Sequence, residues 1–77
     1  MPTIADIAGA TVFVFANDHP PPHVHVRFQG TAARLRITDG APLDAAPAFP
    51  PRVLRDVRTW LLRHRDVAAE AWATYHP

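Results

Sequence analysis

Proline decides where this chain can carry regular structure. Its ring fixes φ and removes the N–H that helices and sheet ladders need. Seven of the nine prolines fall in two clusters, Pro20–Pro22 and the four between Pro42 and Pro51. They leave three windows for secondary structure, and each has its own hydrophobic period. In the first, ATVFVFA from Ala10 to Ala16 is β-branched and aromatic and ends at the turn-forming pair Asn17-Asp18. Being apolar on both alternations, it reads as a strand covered on both faces, or with one face in the core and one at an interface. The segment before it has no clear period.

Pro20–Pro22 form a stiff connection to a second strand, His23 to Gln29. Here Val24, Val26 and Phe28 point one way, and His23, His25, Arg27 and Gln29 the other. Gln29-Gly30-Thr31 reads as a hairpin turn. The next strand, Ala33 to Ile37, turns Ala33, Leu35 and Ile37 inward and Arg34 and Arg36 outward, and Asp39-Gly40 closes it. Residues 41–51 have neither period and read as a linker. Pro50 and Pro51 sit where a helix begins. Val53, Leu54, Val57, Trp60 and Leu61 then recur at helical spacing, with Arg52, Arg55, Asp56 and Arg63 opposite. Leu62 lies off this stripe and could meet a second helix or a partner. Asp66 is a candidate N-cap for that second helix, whose stripe is Val67, Ala68, Ala71, Trp72 and Tyr75.

Strands followed by helices make an α+β pattern. The expected fold is a single domain over residues 1–77, with strands within 10–37 and helices within 51–75. A small antiparallel sheet of about three strands packs one face against two C-terminal helices, and its other face carries histidines and arginines. A chain of 77 residues has a thin core and exposed sheet edges, so a homodimer or a complex with a partner protein is expected. There is no cysteine, which excludes disulfide scaffolds, thiol nucleophiles and cysteine-based metal sites. No run approaches the roughly 18–20 apolar residues of a membrane span, and MPTIADIAG lacks the basic start of a signal peptide. The expected setting is cytoplasmic, away from membranes.

Chemistry-bearing residues concentrate in NDHPPPHVHVR, from Asn17 to Arg27. His23 and His25, two apart on a strand, leave the same face. With His19 across the proline bend and Asp18 as a carboxylate, they form a candidate site for zinc, nickel or copper. The alternative is that Asp18 and His19 organise the turn while His23 and His25 are the solvent side of a strand. Arg27, Arg34 and Arg36 share the histidine face with no acidic residue among them. That suits an anion or RNA site, and His23, His25 and Arg27 could serve metal-independent general acid–base chemistry on a phosphodiester. A plain solvated sheet face is the competing reading, since net charge is only +1. Met1-Pro2 could expose a proline amine as a base, but the rest of the chain does not resemble the tautomerases that use one. His64 reads as a core or capping histidine, and His76 as terminal and frayed. Trp60, Trp72 and Tyr75 read as core or interface anchors.

The start MPTI, the string NDHPPPHVHV and the leucine and tryptophan pattern of the C-terminal region resemble the small bacterial proteins grouped as domain of unknown function 4160. The resemblance spans nearly the whole chain. It implies no established activity. It does imply a setting beside another short protein, as in toxin–antitoxin pairs, and so a partner encoded by a neighbouring gene.

Overall fold

A computed structural model of the chain describes residues 3–16, 19–43 and 49–76. Four strands, β1 (Thr3–Ile7), β2 (Ala10–Phe13), β3 (His23–Phe28) and β4 (Thr31–Arg36), precede two helices, α1 (Pro51–Arg63) and α2 (Arg65–Tyr75). The strands form one antiparallel sheet in the order β1-β2-β3-β4. The α+β architecture is thus the expected one, with a fourth strand supplied by the N-terminal segment.

That extra strand depends on a turn with a weak sequence signal. Ile7 pairs with Ala10 across Ala8-Gly9, whose φ values are 53° and 83°. Gln29-Gly30, at 47° and 80°, repeats the arrangement between Phe28 and Thr31. Two successive left-handed residues make the tight hairpin turn whose twist matches that of the strands. Glycine takes the second position at no steric cost, but alanine and glutamine at the first are strained. Gln29→Asn should therefore raise stability by roughly 0.5 kcal/mol, because asparagine tolerates this region. Its urea midpoint should move up with an unchanged slope.

The core lies on one face of the sheet. Val12, Val14, Val24, Val26 and Leu35 are all 0% exposed and meet Val53, Val57 and Leu61 of α1, Ala68 of α2 and the buried Phe49. The apolar period of α1 puts Val53, Val57 and Leu61 on one stripe and leaves Arg52, Arg55 and Arg63 exposed, as expected. Pro51 sits in its first turn without a side-chain cap. Arg63 is the last residue of α1 and Arg65 the first of α2, so the single residue His64 joins the helices. His64 caps α1: its backbone N–H and its ring Nδ1 both donate to the Trp60 carbonyl, at 3.0 and 2.9 Å. Of the two roles expected for His64, capping is observed, because the ring is exposed. Asp66 is not the N-cap of α2. The helices abut so closely that His64 takes that position, and Asp66 falls in the first turn, where its charge still suits the helix dipole.

The first residues of the linker run against the sheet. Arg36 N–H donates to the Ala41 carbonyl (2.9 Å) and Leu43 N–H to the Arg34 carbonyl (2.9 Å), so residues 41–43 run along β4 and cover that edge. Residues 44–48 of the expected linker, like Pro2, lie outside the described residues. No helix among the described residues is long and apolar enough to cross a membrane.

The turn that leads into this segment is tied by charge. Arg36 Nε and an Nη donate to the two Asp39 carboxylate oxygens at 2.9 and 2.6 Å, and Ala41 N–H donates to the same group at 3.0 Å. From the helices, Arg58 reaches the Asp39 carbonyl (3.5 Å) and Arg65 the Thr38 carbonyl (3.0 Å). The Arg36 hydrogen bonds, with that from Ala41, hold the Asp39 carboxyl down to about 2 from its ordinary 3.8. A carboxyl depressed on folding adds stability that is complete above its unfolded pKa and lost as pH falls through the folded one. Asp39→Asn should therefore lower the thermal midpoint at pH 6, and the gap from wild type should close between pH 4 and 2. A gap that persisted at pH 2 would show that the carboxylate charge is not its source.

Candidate binding face of the sheet

The strand register sets out the face opposite the core. Phe13, His25 and Arg34 stand in one row across β2, β3 and β4, Thr11, Arg27 and Ala32 in the next, and His23 and Arg36 at the far end. None of these three strands contains an acidic residue, but Asp6 of β1 pairs with Thr11 and accepts a hydrogen bond from its hydroxyl at 3.0 Å, which brings one carboxylate to the end of the Arg27 row. This is the histidine and arginine face expected from the alternation, but it is not a simple solvated surface.

Aromatic rings are interleaved with the basic groups. Phe13 and Phe15 alternate with the core residues Val12 and Val14, so they arrive on the histidine side. His25 lies parallel to Phe13, with centroids 5.4 Å apart, and edge-on to Phe15 at 4.5 Å. Phe13 and Phe15 meet edge to face at 5.2 Å. The Arg27 guanidinium lies 5.2 Å from the centre of the Phe13 ring, within cation–π range. Phe13 is consequently buried while Phe15 keeps 37% of its surface open. The apolar double alternation of ATVFVFA carried this signal: one face enters the core, and on the other Phe13 is covered by neighbouring rings while Phe15 stays partly open.

His23 departs from expectation. It is only 2% exposed, against the solvent-facing position that strand alternation suggests. The cause is distant in sequence: α2 puts Ala68 into the core and carries Trp72 to His23, where the ring centroids are 5.2 Å apart. His23 Nδ1 donates to the Pro21 carbonyl at 2.8 Å, and its ring is edge-on to His25 at 5.1 Å. His76 is not frayed. It stacks on Trp72 with centroids 3.6 Å apart and planes 10° apart, and its Nδ1 donates to the Trp72 carbonyl (2.8 Å). One line of rings thus runs from Phe13 through His25, His23 and Trp72 to His76. Trp72 is the half-buried anchor that its stripe suggested, while Tyr75 is 40% exposed.

The expected site residues therefore separate. His25, Arg27 and Arg34 stay together on the accessible face. Arg36 is engaged with Asp39 in an ion pair at 2.6 Å. His19 is exposed on the proline segment, where the Pro20–Pro21 peptide is cis. Asp18 lies outside the described residues. Among the described residues no group of three histidine or acidic side chains is placed to hold a metal ion. The general acid–base set of His23, His25 and Arg27 has one of its imidazoles enclosed beneath Trp72.

No curated protein and no solved structure matches the chain. The family model described as Domain of unknown function (DUF4160) matches residues 9–73, from the first hairpin turn almost to the end of α2, and the chain belongs to that family.

Proposed function

We propose that this protein is a nucleic-acid-binding component of a small two-gene module of toxin–antitoxin type, taking single-stranded RNA on its sheet face. The observation behind this reading is the partly open Phe15 ring against His25, with Arg27 and Arg34 exposed on the same face. Unpaired bases are held by stacking on aromatic side chains, and their phosphates by arginine forks. A sheet supplies both at once, because same-face residues on adjacent strands stand close enough to serve neighbouring nucleotides. The two-gene setting is what the family resemblance implies.

The direct test is fluorescence anisotropy with a labelled oligoribonucleotide at several salt concentrations, on wild type and on Arg27→Gln/Arg34→Gln. Binding that weakens with salt and is lost in the double variant supports the reading. Absence of binding at low salt, or equal affinity of the variant, overturns it and leaves the neighbouring gene product as the partner to test. The metal-dependent alternative on His19, His23, His25 and Asp18 needs Trp72 to yield His23. Calorimetric titration with zinc, nickel and copper decides it: a one-to-one site lost in His23→Ala would restore it, and weak binding typical of surface histidines would remove it.

A further inference from the structure

The helices carry a second surface, formed by residues that take no part in the ring line. A groove of about 330 Å³ runs along the outer flank of α1, lined by Pro51, Leu54, Arg55, Arg58, Thr59 and Leu62. Leu62 is 41% exposed, which accounts for its position off the core stripe. The groove is cationic: α1 carries Arg52, Arg55, Arg58 and Arg63 against the single acid Asp56. Asp56 lies only loosely against Arg55, at 3.6 Å.

The outer side of α2 has the opposite character. Asp66, Val67 and Glu70 are exposed on adjacent positions of one face, with Val67 at 42%. The one arginine of α2, Arg65, is turned to the Thr38 carbonyl. Both surfaces are open in the single chain. One is a groove lined by leucines and arginines, and the other a valine flanked by two carboxylates.

We propose that a second copy of this chain fills the groove, with Val67 of each copy seated between Leu54 and Leu62 of the other and Asp66 and Glu70 facing Arg55, since Arg58 is turned to the Asp39 carbonyl. A twofold pairing makes each such contact twice, so one pair of complementary faces serves both subunits. Leu62 and Val67 lie on either side of the His64 joint in the sequence. Complementary charge fixes the register and the apolar contact supplies affinity. The ring line and the basic sheet face remain open, and this inference does not rest on the RNA reading.

Sedimentation equilibrium of the full chain over a wide concentration range tests it. Wild type should be a dimer that dissociates on dilution and with added salt. Leu62→Asp should be monomeric with an unchanged circular dichroism spectrum. Arg55→Glu and Glu70→Arg should each weaken the dimer by roughly tenfold or more, and the double variant should recover most of that loss, as a direct contact requires. A wild type that stays monomeric at its highest attainable concentration overturns the proposal. So does a dimer indifferent to Leu62→Asp, or a double exchange without recovery.

Discussion

Leu61→Ala should destabilise the domain by about 3 kcal/mol, within the range for truncating a buried leucine. Leu61 is 0% exposed. It lies on the stripe where α1 meets the sheet, in the last turn before the single-residue joint to α2. Loss of its side chain leaves a void in a valine-rich core cluster, and valines are stiff at χ1 and poor at closing over a gap. A chain of 77 residues has a total stability of roughly 4–11 kcal/mol, so this one change removes a large share of it. The thermal midpoint should fall by roughly 12–24 °C. Thr59→Ala, on the exposed side of the same helix, should move it by no more than a few degrees. A Leu61→Ala protein melting within a few degrees of wild type would mean that α1 is not held by its apolar stripe.

The second large effect is on binding. Arg27→Gln/Arg34→Gln should reduce affinity for a single-stranded oligoribonucleotide by about a hundredfold, from two charge-assisted hydrogen bonds at roughly 1.5 kcal/mol each. The slope of log affinity against log salt should also fall by about 1.4, the counterion release of two single-strand phosphates. Glutamine is chosen over alanine because Arg27 also lies over Phe13, and a longer stem keeps that ring covered. Folding should be little affected, since both positions are exposed. An affinity loss with no change of slope would indicate that the arginines act on something other than phosphate.

Much of this architecture could be read from period alone. The alternation of β3 placed Val24 and Val26 in the core, and the spacing in α1 placed Val53, Val57 and Leu61 there, because each pattern has a single buried face to satisfy. β1 escaped because TIADI is short and its turn is Ala8-Gly9, where alanine takes a conformation it seldom adopts. His23 escaped for a different reason. Its environment is set by Trp72, 49 positions along the chain, and no local pattern reports that contact. Arg36 and Asp39 are near neighbours in sequence, yet their ion pair depends on how the chain turns after β4. Of the candidate site, the residues that stayed together are those whose neighbours come from the sheet register itself. Those that were enclosed or diverted owe it to α2 and to the turn.

The strand order β1-β2-β3-β4 also bears on how quickly the molecule reaches this structure. Each strand pairs with the one next to it in sequence, so the sheet needs no long loop to be closed before its first hydrogen bonds form. Two of the three connections are two-residue turns. The distant contacts, from α1 to the valine face and from Trp72 to His23, are made only by the C-terminal third of the chain. A sheet assembled from neighbours, followed by docking of the helices, places this protein among mixed domains of intermediate folding speed. On a ribosome the strands would emerge before the helices that cover their apolar face.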